Sequence, residues 1–218
     1  MTATATPPLD AGLALVEQPD SGAIQRLVLG SEHDGEVLWI DAGGAASTYG
    51  LTAQIPNRRA LRGIRVARAF TAHQHHQLVR NAVAAANERT GLIVAPNVAT
   101  LYEAADASAA EIDRLFDASV GLLADLASAL DAPALVSAPR AGDERRAAVR
   151  DLATTEIECR RTDLGYAFAT DEFETTGYWQ HGWWQTTIPY WVELCGAVED
   201  RAALDAVEPS TTEIAALD

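Results

Sequence analysis

Short apolar runs alternate with amphipathic stretches over most of the chain. Four runs read as strands buried on both faces of a sheet: Val37–Asp41, Ile64–Ala67, Leu92–Ala95 and Ala134–Ser137. Helical periodicity separates them, in Gly22–Ser31, His73–Glu88 and Ala109–Leu130. Strands and helices in this order predict crossover connections, and therefore a mostly parallel central sheet with helices on both faces.

Beyond Arg150, the hydrophobic pattern changes to a period of two residues. Polar and apolar residues alternate in Thr155–Arg161 and in Tyr166–Phe173, and turn-forming residues separate the two segments. This pattern predicts an antiparallel hairpin appended to the parallel core. The predicted fold class is therefore three-layer α/β, with the hairpin toward the carboxyl end.

Length and composition favour one domain. The 218 residues, 48% of them hydrophobic, suffice for one well-buried core and are few for two. We expect a flexible lead over residues 1–10, a domain over residues 11–196 and an acidic tail over residues 197–218. Neither a leader peptide nor an apolar stretch of about 18 residues is present, which predicts a cytoplasmic protein without a membrane partner.

Arginine supplies every positive charge of the side chains, because the sequence contains no lysine. The 16 arginines face 31 acidic residues, for a net charge of −15. Such self-repulsion destabilises a compact protein in dilute buffer, whereas at 1 M salt the Debye length falls to about 3 Å. The composition is typical of a salt-adapted protein, and acidity of this origin does not exclude nucleic acid as a partner.

Neither the cysteines nor the histidines predict a metal site. Cys159 and Cys195 lie far apart without CxxC spacing, so we expect two reduced thiols. His73 and His76 share a helical face at a spacing that can chelate zinc, but no acidic residue or cysteine lies close by in sequence. We expect these two residues and His75 to be surface or interface histidines.

Four segments carry a resemblance to a known family. Val37–Gly44 (VLWIDAGG) is similar to a family strand that ends Ile-Asp-Thr-Glu-Gly. Ile64–Val79 (IRVARAFTAHQHHQLV) is similar to the strand Val-Ala-Arg-Ala-Tyr and the Asp-His-Gln helix that follows it. Gly91–Thr100 stands where the family has its Walker B strand, and Asp20–Gln25 where it has Gly-Ser-Gly-Lys-Thr-Gln. Over about Leu13–Phe173 the chain resembles the ATPase core of the RecA superfamily, in particular the archaeal RadA/RadB recombinases.

The match fails where nucleotide chemistry would take place. Of the P-loop only Gly22 survives, and the family's other groups are replaced by Glu17 (first glycine), Ala23 (lysine), Ile24 (magnesium ligand), Gly43 (water-activating glutamate), Ala95 (Walker B aspartate) and Ala138–Pro139 (polar sensor). Lysine and metal ligands stabilise the transferring phosphoryl group, so the resemblance implies a pseudo-ATPase without ATP or magnesium as cofactors. Asp41 ends a strand where active sites occur in α/β sheets, and its alternative role is to satisfy backbone amides.

Arginines cluster twice along the chain. The first group is Arg58, Arg59, Arg62, Arg65 and Arg68, and the second is Arg140, Arg145, Arg146 and Arg150. Either group could bind nucleic acid or an acidic partner. The alternative is that these arginines pair with neighbouring carboxylates of the same chain.

Four of the five tryptophans lie in residues 177–191. Gly177, Gly182 and Pro189 disfavour a continuous helix there and predict a β-ribbon or an ordered loop. The rings either close the core or form an interaction surface, in which Trp183 and Trp184 would contact a partner.

Together these features predict a RecA-like protein that acts by binding. The resemblance implies an accessory or regulatory role in homologous recombination and DNA repair in a halophilic archaeon. Its partners would be a RecA-family recombinase or another repair protein, with weaker contacts to DNA, in homo- or hetero-oligomers. The alternatives are a DNA-binding or regulatory module unrelated to recombination, and a weak nucleotide-dependent ATPase.

The net charge predicts that stability rises with salt. We expect the melting temperature Tm to increase by more than about 5 °C between dilute buffer and about 1 M NaCl, because screening removes about 2 kcal/mol of repulsion or more. Thermal unfolding followed by circular dichroism measures this, with sucrose as the uncharged control. A Tm that does not respond to salt would contradict the prediction.

Overall fold

The structure is a computed structural model that describes most of the first 175 residues. The described residues are 6–17, 19–31, 33, 35–42, 44, 61–138, 142–163 and 165–175, with the strand backbone of 177–180 and 183–186. The chain divides into two compact units, Met1–Thr175 and Thr176–Asp218, and the first unit contains the large sheet.

Strands and helices alternate through most of the first unit. In chain order the described elements are β1 Gly12–Glu17, α1 Ser21–Gly30, β2 Glu36–Ala42, β3 Ile64–Ala69, α2 Ala72–Ala85, β4 Thr90–Ala95, α3 Thr100–Glu103, α4 Ala109–Leu130, β5 Pro133–Val136, α5 Asp143–Leu152, β6 Thr155–Thr162, β7 Gly165–Ala169, β8 Gly177–Gln180 and β9 Trp183–Thr186.

Seven strands of the first unit form one sheet in the order β3-β2-β4-β5-β1-β6-β7. Strands β1 to β6 pair in parallel, and β7 pairs antiparallel with β6. The predicted fold class is therefore confirmed: a three-layer α/β fold with a mostly parallel central sheet and a hairpin toward the carboxyl end. This architecture is consistent with a RecA-like fold.

The strand order explains why helices cover both faces. From β1 the chain moves through α1 toward the β3 end of the sheet, and from β3 it returns through α2, α4 and α5 toward β6. Right-handed crossovers that run in opposite directions place their helices on opposite faces. Accordingly, α1 packs on one face and α2, α4 and α5 pack on the other.

Side chains that alternate along each strand divide the core into two clusters. In β1, Leu13 and Leu15 join the cluster under α2, α4 and α5, whereas Ala14 and Val16 join the cluster under α1. Because both faces are covered, a central strand needs apolar residues at successive positions. This is why these strands appear in the sequence as continuous apolar runs.

The four predicted strands and three predicted helices are all present, with ends that shift by a few residues. The predicted burial of Ile64–Ala67 on both faces is wrong, because β3 lies at the end of the described sheet and Val66 is 43% exposed. The prediction missed β1, which follows the amino-terminal lead without a preceding helix, and the single-turn α3. It also missed α5, the helix that contains Arg145 and Arg146. Val149 is the one buried side chain among those described in α5, so the apolar stripe of this helix is too narrow to show as a period.

The predicted hairpin is present, but β7 ends at Ala169 rather than at Phe173. The chain reverses after Ala169 in a turn closed by the Thr170 amide, which donates to the Phe173 carbonyl at 2.8 Å. Thr175 then lies beside β7, where its amide donates to the Phe168 carbonyl at 2.9 Å. The predicted extension of the strand is therefore wrong because these residues form a return turn.

The amino-terminal lead is held to the first unit at Thr6. This residue is buried, and its hydroxyl donates to the carbonyl of Gly30 at the end of α1, at 2.9 Å. Leu9 packs against the cluster under α1. These contacts connect Thr6 and Leu9 to the first unit, and the flexibility of the lead stays a prediction.

In the second unit, β8 and β9 pair antiparallel from Gly177 opposite Thr186 to Gln180 opposite Trp183. The predicted β-ribbon is therefore confirmed for the backbone. The side chains of Trp183 and Trp184 and the acidic tail lie outside the described part of the chain.

Gly35 and Gly121 provide a matched test of backbone fit. Gly35 has φ +119°, and an added Cβ would overlap the carbonyl oxygen of Arg89, whereas a Cβ at Gly121 in α4 meets nothing. We expect Gly35→Ala to lower the free energy of unfolding by about 3 kcal/mol, and Gly121→Ala to raise it by up to about 1 kcal/mol. Urea unfolding measures both. A Gly35→Ala variant as stable as the parent would contradict the tight approach to Arg89.

Candidate functional site

The carboxyl ends of the parallel strands meet at one edge of the sheet, the usual position for ligands in open α/β folds. Glu17, Asp41 and Ala95 lie at the ends of β1, β2 and β4. The turn from β1 into α1 opens on the same edge, with Gly22 in the first turn of the helix. The structure therefore brings the predicted nucleotide-site positions together, apart from Gly43, which lies outside the described residues.

The turn before α1 is occupied by the carboxylate of Asp20. As the N-cap, Asp20 accepts from the Ala23 amide at 2.9 Å. The Tyr166 hydroxyl, from β7, lies 2.7 Å from one Asp20 oxygen and 3.0 Å from the other. The Arg161 guanidinium lies 3.4 Å away. The chain's own anion thus holds the place that a P-loop offers to phosphate.

Ionisation of Asp20 and the position of Tyr166 reinforce each other. Partial burial opposes the charge, but hydrogen bonds from Tyr166, Ala23 and Gly22, with the charge of Arg161, still hold the pKa of Asp20 below its usual range. Burial and the bond to Asp20 raise the pKa of Tyr166 to about 12, so the hydroxyl remains a donor. A Cβ at Gly22 would overlap the Tyr166 hydroxyl oxygen. The glycine therefore admits Tyr166 rather than a phosphate.

The positions of the missing P-loop groups lie in the core. Ala23, where the resemblance expects lysine, is fully buried, and Ile24, where it expects the magnesium ligand, is buried with it under α1. Both pack in the cluster that includes Val16 and Trp39. Neither side chain offers a polar atom to a ligand.

Glu17 at the end of β1 is neutralised by two arginines of α5. Arg146 contacts one carboxylate oxygen, and Arg150 donates to the other at 2.6 Å. Arg150 also bonds Glu156 of β6 at 2.9 Å. This network lines a cavity of about 1200 Å³ whose other charged residues are all acidic: Asp10, Glu158, Asp171 and Glu172. A phosphate ligand would be repelled there.

Asp41 is fully buried and bonds the Nε of Arg68 on the neighbouring strand β3, at 2.6 Å. The structure thus gives this carboxylate a guanidinium partner, and its predicted contact with backbone amides stays a prediction because most of the loop after β2 lies outside the described residues. Arg65, which lies three residues before Arg68 on β3, forms an ion pair with Glu36 of β2 at 3.5 Å. Two arginines of the first predicted group therefore cross-link β2 and β3.

The end of β4 is apolar and closed. Ala95 and Ala138 are buried in the cluster under α2, α4 and α5. Beyond the strand, the Asn97 amide donates to the Ser137 hydroxyl at 3.1 Å, and the Val98 amide donates to the Ser137 carbonyl at 2.9 Å. Ala95, where the resemblance expects the Walker B aspartate, therefore has a buried methyl group in place of a carboxylate that could bind a metal.

The predicted binding arginines divide by what they contact. Arg65, Arg68 and Arg146 form the ion pairs above, and Arg145 bonds Asp113 at 2.8 Å and lies over the Phe116 ring at 5.7 Å. Arg62 is exposed. The remaining predicted members, Arg58, Arg59 and Arg140, lie outside the described residues. Internal pairing thus accounts for the five described arginines of the two groups other than Arg62, which are Arg65, Arg68, Arg145, Arg146 and Arg150.

The three histidines lie in different environments. His73 is exposed and lies 3.3 Å from Glu111, and His76 is half-buried. His75 is fully buried, contrary to the prediction of a surface or interface residue, because it faces the layer formed by α3 and α4. Its place on α2 one turn before the buried Val79 was the available signal.

A chain of hydrogen bonds connects α2, α3 and α4. His75 Nδ1 lies 2.9 Å from the Tyr102 hydroxyl, which lies 2.8 Å from Ser119 Oγ. Ser119 Oγ also lies 2.7 Å from the Leu115 carbonyl and 2.9 Å from His76 Nδ1. One hydroxyl proton serves only one of these neighbours, so the direction of each bond depends on the histidine tautomers. The Nε2 atom of His75 is buried, and the described residues offer it no partner.

Cys159 is the described thiol and is free. Burial, and then the charge of Asp20, raise the pKa of this thiol to about 11. The thiol is therefore protonated near neutral pH, which makes it a poor nucleophile. This agrees with the predicted reduced, partly buried cysteine, whereas Cys195 lies outside the described residues.

Comparisons with known proteins leave the family open. No protein-family model matches the chain, and no match is found among curated proteins. Among the described residues there is no group of three or more histidine, cysteine or acidic side chains placed to hold a metal ion. The described helices are each too short or too polar to cross a membrane.

His75 should make the protein sensitive to mild acid. Burial and the nearby His76 lower the pKa of His75 from 6.5 to about 4. The unfolded chain therefore binds a proton that the folded protein does not, and stability is lost as the pH falls from about 6.5 to about 4. The loss attributable to this group is about 3 kcal/mol.

Urea unfolding between pH 7 and pH 4 measures this contribution. We expect His75→Asn, which keeps a donor toward Tyr102, to be less stable at pH 7 and to lose less stability on acidification. His73→Asn, at the exposed neighbour, is the matched control and should follow the parent. Equal pH dependence in the parent and the His75 variant would show that His75 is not buried in its neutral form.

Proposed function

We propose that the protein is a non-catalytic RecA-like paralogue that acts as an accessory or regulatory protein in homologous recombination and DNA repair. The observation that carries the proposal is the occupied turn before α1, where Asp20 and Tyr166 take the place of a nucleotide phosphate. The sequence resemblance supports the recombination role, and the strand order is consistent with that family's fold. The proposed setting is the cytoplasm of a halophilic archaeon.

Electrostatics oppose nucleotide at this turn. A phosphate charge placed about 4 Å from the Asp20 carboxylate would meet about 4 kcal/mol of repulsion at an effective dielectric constant of about 20. A P-loop offsets such repulsion with its lysine, which this chain lacks throughout. ATP binding at this turn would therefore require displacement of Asp20 and loss of its contacts with Tyr166 and Arg161.

The groups that would hold magnesium are also unsuited to it. The Walker B position holds Ala95, which is buried. Asp41, a nearby carboxylate at this edge, is buried and paired with Arg68. Hydrolysis needs a metal to neutralise charge on the transferring phosphoryl group, so these losses support the absence of ATPase activity.

A RecA-like domain without catalytic activity can still act by binding other proteins through its surface. Domains of this superfamily assemble side by side, so an inactive copy can occupy a subunit interface, cap a filament or load an active recombinase. Arg65, Arg68, Arg145 and Arg146, which were candidates for binding DNA phosphates, form ion pairs with carboxylates of the same chain instead. Their use within the chain favours a protein partner over DNA as the main contact.

Titration calorimetry with Mg–ATP in about 1 M KCl tests the loss of nucleotide binding. We expect no binding in the micromolar range and no hydrolysis above background. Asp20→Ser, which removes the carboxylate but keeps a capping hydroxyl, should remain without hydrolysis because the lysine and metal ligands are still absent. Micromolar, magnesium-dependent binding by the parent protein would refute the proposal.

Affinity purification from a high-salt extract of the source cell tests the recombination role. We expect a RecA-family recombinase to copurify equally with and without nuclease treatment, because protein contacts hold the complex. Recovery of nuclease-sensitive material without a recombinase would instead indicate a separate DNA-binding or regulatory module.

A further inference from the structure

Residues 100–108, which include α3 and lead into α4, are attached to the first unit through few contacts. The described backbone amides of this segment bond to the carbonyls of Asn97 and Ala99, within four residues, and none bonds to the sheet or to α2. Tyr102 is the one buried side chain of the segment, whose other residues are exposed or half-buried. A single helical turn is not stable by itself, so the packing of Tyr102 decides whether this turn forms.

Tyr102 joins the segment to both neighbouring helices. Its hydroxyl lies 2.9 Å from His75 Nδ1 of α2 and 2.8 Å from Ser119 Oγ of α4. Its ring makes T-shaped contacts with His75 and with Phe116 of α4, at centroid distances of 5.5 and 5.4 Å. The side chain that anchors the segment is therefore in direct contact with a titratable group.

The surroundings of His75 fit the neutral imidazole and not the charged one. His75 is fully buried, and its Nε2 atom has no hydrogen-bond partner among the described residues. A protonated imidazole carries a proton on both nitrogens, so protonation would bury a charge together with a donor that lacks an acceptor. Burial, and then the charge of His76, accordingly lower the pKa of His75 to about 4.

Neighbouring groups do not compensate a positive charge on His75. The described group whose charge shifts its pKa is His76, which is itself a cation when protonated. The charged or titratable groups on the elements around α2 have partners of their own or carry positive charge: Tyr102 bonded to Ser119, His73 paired with Glu111, Arg80 beside His76, Asp113 paired with Arg145, Asp41 paired with Arg68, and Glu36 paired with Arg65. The remaining charged residues of α3 and α4 are exposed, namely Glu103, Arg114, Asp117 and Asp125. A charged His75 must therefore reach water to be stabilised.

We propose that His75 and Tyr102 form an acid-sensitive latch, in which protonation of His75 releases residues 100–108 from α2 and α4 while the central sheet stays folded. Release withdraws one buried side chain, whereas the inner strands of the sheet are paired along both edges. Glu103 accepts from the Gly142 amide at 3.1 Å, so release also frees the residue before α5. The latch does not rest on the proposed function, because it is the same whether or not nucleotide or a recombinase binds.

The direction of the pH effect follows from the two states of the latch. In the closed state the pKa of His75 is about 4, and in the released state it returns to its ordinary value of 6.5. Protons therefore favour release as the pH falls from about 6.5 to about 4. Between pH 7 and pH 5 the equilibrium constant for release rises about twentyfold.

Hydrogen exchange of the full chain, followed by NMR in about 1 M NaCl, tests the latch. The amides of Tyr102 and Glu103, which bond to the Ala99 carbonyl, report release, and the amides of β4 report the sheet. After correction for the intrinsic pH dependence of exchange, we expect the protection of the two α3 amides to fall about twentyfold between pH 7 and pH 5. The amides of β4 should keep their protection over the same range.

Three variants separate the latch from general acid sensitivity. His75→Asn, which cannot take up a proton, should abolish the pH response of the two α3 amides, and His73→Asn, at the exposed neighbour, is the matched control that keeps it. Tyr102→Phe retains the ring but loses the hydroxyl, and should raise release about fivefold at pH 7.

Two results would overturn the proposal. One is exchange of the α3 amides in step with β4 at every pH in the parent protein, which would show that the segment opens only on global unfolding. The other is a pH response that persists in His75→Asn. If that variant does not fold, protection of the α3 amides in Tyr102→Phe equal to that of the parent at pH 7 would overturn it as well.

Discussion

Burial of the central sheet on both faces is the constraint on which the rest of the structure depends. The chain runs from β1 toward β3 and reverses its direction across the sheet after β3, so right-handed connections place α1 on one face and α2, α4 and α5 on the other. Because these strands are parallel, the ends of β1, β2 and β4 lie at one edge, where α/β proteins bind ligands. The fold therefore creates a place for a ligand, and the side chains decide whether it is available.

At that edge the side chains satisfy one another. Asp20 takes the first-turn amides and the Tyr166 hydroxyl, Glu17 takes Arg146 and Arg150, and Asp41 takes Arg68. A buried carboxylate needs such partners, because an unpaired charge away from water is very costly. The charged groups at this edge thus pair with one another rather than remaining available to a ligand. This fits the proposal of a protein that acts by binding through its surface.

The layer of α2, α3 and α4 shows how few polar atoms a core of this kind accepts. His75, Tyr102 and Ser119 form one chain of hydrogen bonds that also includes His76 and the Leu115 carbonyl. The T-shaped contacts of the Tyr102 ring with His75 and Phe116 fix the same groups by packing. This buried arrangement accommodates the neutral imidazole of His75. Protonation of His75 in acid therefore destabilises the packing of these helices.

The sequence alone determined the fold class, because strands buried on both faces must be continuously apolar and helices between them must show a period near 3.6 residues. It also shows that the chain contains no lysine, whereas the correspondence of Ala95 to a Walker B aspartate stays a prediction from the resemblance. It missed α5, whose one described buried side chain is too weak a signal. The partners of Asp20, Asp41 and Glu17 come from β7, β3 and α5, up to 146 positions away. Only the tertiary structure decided these contacts, because pairing between distant residues depends on strand order rather than on local spacing.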